Sequence, residues 1–492
     1  MPLAEPFGFS GADFLACFSL VLVSLMGCVV IAVDAFRNDS PTIPWLTGLT
    51  FGVALVWELF HLGDPGGTAF FGQVRTGGFA AFLNIILLLS GLFTVVLSAP
   101  YLRAIGHHFG EVYGLLLFAT AGMIALGTSN SLVMMFVGLE TMSVTLYILT
   151  GLVRQDVGSV ESALKYFLLG AFSTGFFLYG IALLYGATGT MYLPDLLAGL
   201  ARTDAEVMFW SGAALLFIGF FFKVSAAPFH MWTPDVYQGA PTPLTGYMAT
   251  ASKASAFAAL ILVLATSMPS LQWQMGVVVV AVITMVLGNV LALAQGNVKR
   301  MLAYSSIAHA GYVLTGIAAG TPEGYAGALF YLLVYAIMNV GAFGVMAYLE
   351  WDGREWREQT LDSLAGVALR RPVLGVVMAF FMLSLLGFPP LAGFFGKFFV
   401  FAPAVRAGLT WLVVVGVLAS AVSAGYYLRV LYVMWMRQPE EGAPETKIRL
   451  PAGAAAVLVV CAVLLVALSL APGLVSLAED FFTAAPSMAV AP

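Results

Sequence analysis

Fourteen apolar stretches, each long enough to cross a lipid bilayer, follow one another along 492 residues and leave little chain over. A hydrocarbon core about 30 Å thick needs roughly 20 apolar residues at a rise of about 1.5 Å each. That ruler marks 14–33, 44–62, 77–99, 111–129, 131–153, 160–186, 207–231, 243–267, 274–294, 300–319, 324–349, 372–402, 409–436 and 452–477. Turn-forming residues punctuate them, as in Asn38-Asp39-Ser40-Pro41 and Gly63-Asp64-Pro65-Gly66-Gly67. Composition agrees: 61% of residues are hydrophobic and 9% charged, where soluble domains carry about 45–50% and about 25%. The sequence therefore predicts an all-α polytopic membrane protein with membrane lipid as its solvent and no separate soluble domain. A net charge of -5 with no basic face excludes a nucleic-acid partner.

Basic residues predict the orientation. Loops after odd-numbered spans hold Arg37, Arg103, Arg154, Lys299, Arg300, Arg354, Arg357, Arg370, Arg371, Arg437, Lys447 and Arg449, whereas loops after even-numbered spans hold only Arg75, Arg202 and Arg406. Twelve against three puts the odd-numbered loops in the cytoplasm and both termini outside. The N-terminus lacks the basic region of a secretory signal, so the first span is expected to be retained. The polar stretch 351–371 reads equally as a short helix or a solvated connector. Cys17, Cys28 and Cys461 lie in apolar segments without a C-x-x-C pattern and read as small buried hydrophobes.

Five basic residues fall inside predicted spans: Lys165, Lys223, Lys253, Lys397 and Arg429. Four of the six lysines of the chain are thus placed in the membrane. Each costs roughly 2.5–3.5 kcal/mol at mid-bilayer, and four together on the order of 10 kcal/mol, unless paired or hydrated. Glu140, in FVGLETMSVTLY, lies about 13 Å into the fifth span and needs a cation or a proton. Lys165 follows Glu161 by four residues, the favourable order for a helical ion pair. Lys253 has no acid within a turn on its own helix, and Arg429 stands near enough to a span end to snorkel. His309, among Tyr304, Ser305 and Ser306, reads equally as a hydrogen-bonded core histidine or a proton relay; His230 is a second histidine near a span. His61, His107 and His108 lie at span ends and carry no signal.

Two spans are interrupted. Pro228 follows Lys223 by five residues, and Gly387, Pro389, Pro390 and Gly393 precede Lys397. Proline removes a helical hydrogen bond, and irregular backbone survives in lipid only against protein, ion or internal water. The broken spans are the seventh and twelfth, five apart. That spacing predicts two inverted five-helix repeats, spans 4–8 over 111–267 and spans 9–13 over 274–437. Three helices over 1–110 precede them, and a fourteenth helix with a tail over 438–492 follows. Burial favours the neutral amine and a nearby carboxylate favours the ammonium, so a row Glu140–Lys223–Lys253–Lys397 can load and unload protons in turn. The GFFGK run at 393–397 lacks a following Ser or Thr and is no phosphate loop. With no G-x-G-x-x-G, haem-ligand pair or cluster-binding cysteines, the chain is expected to hold no cofactor of its own.

The strings FVGLETMSVTLYILTGL, ESALKYFLLGAFSTGFFLYGIALLYG, FFKVSAAPFHMWTPDVYQGAPTPLTGYMATASKA, NVKRMLAYSSIAHAGY and LLGFPPLAGFFGKF resemble the subunit N family of bacterial respiratory NADH:quinone oxidoreductase, complex I. The likeness spans most of residues 111–437. It implies an antiporter-like membrane-arm subunit of fourteen helices with the seventh and twelfth discontinuous. By the same resemblance Glu140 looks like the acid of the fifth helix, Lys165 the sixth-helix lysine, Lys223 the lysine of the broken seventh, Lys253 the connecting lysine of the eighth and Lys397 the terminal lysine of the twelfth. The implied role is proton translocation in the bacterial inner membrane, as a non-redox subunit of a translocase. NADH, FMN, iron–sulfur clusters and quinone are then expected in partner subunits, with other antiporter-like and small membrane subunits as neighbours. Sister families share the architecture, so a subunit of a multi-subunit sodium/proton antiporter and a non-pumping scaffold remain alternatives. Lys397, where one sister subunit carries Glu, and the lack of a long lateral helix after residue 477 favour subunit N.

Overall fold

The computed structural model describes residues 10–36, 41–268, 270–350, 360–438 and 450–483. A short α1 (Gly11–Ala16), capped by Ser10 and Asp13, leads into α2 (Phe18–Phe36), and α3 (Thr42–Phe60) follows. A hairpin of β1 (Gly67–Ala69) and β2 (Val74–Thr76) precedes α4 (Gly78–Ala104). Then come α5 (Gly110–Gly127), α6 (Leu132–Thr150) and α7 (Val157–Thr188), the last begun by the Asp156 side chain and stopped at Gly189, whose φ is +71°. After the short α8 (Leu196–Leu200), the seventh span is split into α9 (Glu206–Lys223) and α10 (Trp232–Gly239). The eighth is α11 (Thr242–Tyr247), a π-helical turn at Met248–Ser252, and α12 (Lys253–Ser267).

The second half runs through α13 (Ser270–Leu293), α14 (Val298–Ala318, begun by the Asn297 side chain) and α15 (Pro322–Glu350). A short α16 (Val367–Arg370) meets α17 (Pro372–Leu386), the 362–370 stretch being bent by 119° from it, and α18 (Ala392–Arg406) completes the broken twelfth span. Then follow α19 (Thr410–Met436), α20 (Ala452–Ser469) and the short α21 (Gly473–Thr483).

Every predicted span coincides with a helix or a helix pair. Among the described residues twelve helices are long and apolar enough to cross a membrane alone. The two other predicted spans differ for physical reasons. The tenth, α14, carries Lys299, Arg300, Ser305, Ser306 and His309, and the twelfth is divided into two halves of 15 residues. Three sequence expectations need correction. The fourteenth span stops at Ser469 rather than 477, because the Pro472 turn starts a separate helix. Cys28 is exposed on α2 rather than buried. Lys299, assigned to a cytoplasmic loop, is only 4% exposed inside the protein. Of the 351–371 stretch, 351–359 lies outside the described residues and the rest forms a 3-10 turn and α16.

Packing repeats in the two halves. α5 packs on α6 and α12, as α13 packs on α14 and α19; α7 packs on α9, as α15 packs on α18. The eighth and eleventh spans are wholly enclosed by the others, whereas about a third of α19 and α20 is buried. Backbones cross closely where side chains vanish: a Cβ on Gly138 would lie 2.8 Å from the Gly122 carbonyl oxygen, and one on Gly122 2.9 Å from that of Gly138. In the second half a Cβ on Gly288 would lie 2.9 Å from Ala308 Cα. Gly138→Val is therefore expected to destabilise by about 1–3 kcal/mol, the usual range for overpacking. Gly52→Val, with open space around it, should be neutral; thermal unfolding of the detergent-solubilised protein compares them.

Candidate functional site: a row of buried ammonium groups

The breaks position the first and last of these groups. α9 ends at Lys223 because Ser225 adopts φ +63° and the chain turns through Pro228 before α10 resumes. The polar groups of the break find partners: Trp232 Nε1 donates to the Phe222 carbonyl (3.0 Å), Thr233 Oγ1 to Ser225 Oγ (2.8 Å), and the Ala227 N–H to Thr284 Oγ1 on α13 (2.9 Å). Lys223 sits in the last turn of α9, where the helix dipole favours a cation. It is 4% exposed. Its Nζ donates to Ser143 Oγ on α6 at 2.7 Å and to Tyr147 OH at 3.4 Å, and lies 5.5 Å from the centre of the Tyr147 ring.

The twelfth span repeats the theme. α17 stops at Leu386 because Gly387 has φ +86°, and Pro389 and Pro390 lie in the exposed gap before α18. Lys397 reaches back across this gap. It donates to the Leu386 carbonyl and to Ser420 Oγ, both at 2.7 Å, and lies 4.9 Å from the Tyr312 ring centre. Both lysines thus meet the C-terminal end of a helix, a serine hydroxyl and a tyrosine face.

Between them stands Lys253, 2% exposed, directly after the π turn. Such turns are frequent at functional sites. Lys253 donates to Ser306 Oγ at 2.5 Å and to the Ser306 carbonyl at 3.1 Å. One helical turn further along α14, His309 has its Nδ1 2.5 Å from Tyr331 OH and its Nε2 3.0 Å from Tyr427 OH, which also contacts Ser305 Oγ. The next turn brings Tyr312, under Lys397, whose hydroxyl accepts from Asn289 Nδ2 at 3.0 Å. Ser305, Ser306, His309 and Tyr312 therefore line one face of α14 from Lys253 to Lys397. Hydroxyls and a neutral imidazole each donate and accept, the property that a proton relay needs.

The other sequence-predicted residues fall differently. Glu140 is half-buried on α6, accepts from Thr174 Oγ1 at 2.8 Å, and stands one turn before Ser143, the partner of Lys223. Lys165 pairs with Glu161 at 2.8 Å, as its spacing suggested, and also with Asp235 at 2.7 Å. Its side chain is 43% exposed, so it stands apart from the buried row. His230 lies in the first break with its Nδ1 lacking a hydrogen-bond partner among the described residues, and Arg429 is exposed on α19.

Sequence reasoning missed two groups. Asp235, inside the TPDVYQ string, accepts from both Lys165 and Arg300, the latter at 2.5 Å. Lys299 donates to the Ala240 carbonyl at 2.7 Å and lies 3.8 Å from Glu350 Oε1, while Glu350 Oε2 accepts from Tyr101 OH at 2.8 Å and from Thr242. The signal was present in the position of Glu350 at the end of a long apolar run, but the partner lay 51 residues away.

Residues 129–423 match the family described as NADH:quinone oxidoreductase/Mrp antiporter, TM. The chain is 62% identical, over 100% of both sequences, to NADH-quinone oxidoreductase subunit N of Salinibacter ruber. It is 46% identical to subunit N of Chloroflexus aggregans, over 86% of this chain and 88% of that one. Among solved structures, a chain of respiratory complex I from Thermus thermophilus is 38% identical with a TM-score of 0.79, covering 93% of this chain and 98% of that one. A chain of the Mrp complex from Dietzia superposes with a TM-score of 0.85 over 98% and 100% of the two chains, but at 21% identity, which speaks for the fold alone. Fold, broken spans and full-length identity agree: the chain belongs to the subunit N family of NADH-quinone oxidoreductase, within the antiporter-like membrane proteins.

Proposed function

We propose that the chain moves protons across the membrane through Lys223, Lys253, His309 and Lys397, driven by quinone reduction in partner subunits of a complex I. One observation carries this reading. Among the described residues, Lys223, Lys253 and Lys397 have no carboxylate within ion-pair distance, only hydroxyls and carbonyls. A buried charge without a counter-charge is costly, so each amine is poised to lose or regain its proton when a neighbouring charge or water arrives. Glu140, one turn from Ser143, is the acid that biases Lys223. Lys165, with Asp235 and Arg300, stands at the surface end of the seventh span, where protons are taken up. The break at Pro389 and Pro390 leaves the Leu386 carbonyl to Lys397, and the break at Pro228 ends α9 at Lys223.

In this reading the two five-span units, 111–267 and 274–437, act as half-channels joined by Lys253 and α14. The three leading helices over 1–110 and the 438–492 segment flank them. The chain resides in a bacterial inner membrane with both termini outside, beside other antiporter-like and small membrane subunits. NADH, FMN, iron–sulfur clusters and quinone belong to the partner chains, and no cofactor is assigned here. The sodium/proton antiporter reading shares the fold, but identity of 62% to a subunit N relative against 21% to the Mrp chain favours the first.

Lys223→Ala, Lys253→Met and Lys397→Ala are each expected to abolish most NADH-driven acidification of membrane vesicles while leaving electron transfer from NADH to an artificial acceptor intact. Full pumping in all three variants would leave only a scaffold.

The hydrogen-bond lengths rank the supporting residues. Ser143→Ala removes the 2.7 Å partner of Lys223, and hydrogen bonds to charged groups are worth about 1.5–3 kcal/mol. Proton flux should then fall about tenfold or more. Tyr147→Phe, which removes the 3.4 Å contact, should have a smaller effect in the same vesicle assay.

A further inference from the structure

Two buried ionisable side chains outside the lysine row, Glu58 and Arg75, line one cavity in the N-terminal part of the chain. Glu58, 8% exposed near the end of α3, accepts from Asn84 Nδ2 on α4 at 2.9 Å. Arg75, 3% exposed, is carried by the hairpin strand β2, which is pinned over the end of α5 by a 2.7 Å bond from the Arg75 N–H to the Thr128 carbonyl. Gly77 (φ +90°) lets the hairpin close on itself: a Cβ there would lie 2.8 Å from Gly66 Cα. Arg75 lies between spans, as the sequence predicts, and the hairpin buries it there.

Both side chains line one cavity of about 110 Å³, together with Asn84 and Thr128, and with His61 and Asp64 towards its mouth. Arg75 Nε and Nη2 and Asn84 Oδ1 have no hydrogen-bond partner among the described residues. A guanidinium does not give up its proton, and leaving one buried and uncompensated is strongly unfavourable. Glu58 is the buried carboxylate available to balance it. The volume exceeds the roughly 10–15 Å³ that one water needs, and the three orphaned atoms are the partners such waters seek. Asp64 is exposed where the hairpin leaves α3, so the cavity opens on the hairpin side of the membrane.

We propose that Glu58 and Arg75 form a water-bridged pair from which Glu58 releases protons to, and takes them from, the aqueous phase on the hairpin side. When Glu58 gives its proton to cavity water, the carboxylate left behind is balanced by Arg75, so the released state is neutral overall. The titratable groups facing Glu58 are His61 and Asp64 from its own segment, Arg75 from the hairpin and Cys17 from the first span. α4 and α5 present Asn84 and Thr128. The part this station plays in translocation rests on the proton-moving reading above; its hydration and exchange do not.

The test uses the intact complex in oriented vesicles, as parent and as Glu58→Gln. The infrared difference between them is expected to contain a carboxyl band that shifts promptly when D2O replaces H2O. Glu58→Gln should also lower the protons moved per NADH oxidised without slowing electron transfer to an artificial acceptor, and Glu58→Asp should restore them. Arg75→Leu and Glu58→Gln should each destabilise, and the double variant should be more stable than the sum of the two predicts. No promptly exchanging band, additive stabilities, or an unchanged proton yield in Glu58→Gln would each overturn the proposal. If Glu58→Gln pumps fully while Lys253→Met does not, this station fails and the lysine row stands. If Lys253→Met pumps fully, the row fails, and the D2O exchange still decides whether Glu58 is an open site.

Discussion

The structure depends on how an ammonium group can be kept inside a membrane protein without a carboxylate beside it. At each end of the row the answer is the same set of weaker partners. Lys397 takes the last carbonyl of α17, a serine hydroxyl and the face of Tyr312. Lys223 takes the negative end of the α9 dipole, Ser143 and the face of Tyr147. Such partners solvate the charged form while leaving the neutral form affordable. A carboxylate at ion-pair distance would hold the amine in its charged form.

The broken spans follow from that requirement. The last carbonyls of a helix have no partner within it, so the stop of α17 leaves the Leu386 carbonyl to Lys397. The two breaks are made differently. The first is braced by Thr284 of α13 while Pro228 and Met231 within it are exposed, and its lysine lies before the gap. The second has Phe388 52% exposed, and its lysine lies after the gap and reaches back. The bond from the Ala227 N–H to Thr284 ties the first break to α13. Lys253 and its neighbours run on the eighth and eleventh spans and α14, the most enclosed part of the bundle.

Most of the fold was legible because lipid enforces a simple rule of length and hydropathy, and every predicted span found its helix. The tenth span, α14, is more polar than the others, and its polar face carries Ser306, His309 and Tyr312. The lysines were legible as charges in apolar sequence, and Lys165 with Glu161 as a pair four residues apart. The rest was hidden because its partners are distant in sequence. Lys299 reads as a loop residue, yet Glu350 and the Ala240 carbonyl close over it, and the loop residue Arg75 is buried because the hairpin folds onto α5. Composition could not separate a helix end that faces water from one that is roofed by another segment.

The buried lysine that does have an acid beside it acts as an internal control. Lys299 lies 3.8 Å from Glu350, itself held by Tyr101 and Thr242. Where this chain uses a charge to hold helices together, it supplies the opposite charge, even at 4% exposure. Lys223, Lys253 and Lys397 are as deeply buried and receive none among the described residues. A scaffold with relic charges has no reason to divide its lysines in this way, because the unpaired ones cost the most and would be the first to be replaced by apolar side chains. The division is the one expected if the unpaired amines are retained for the proton that each can give up.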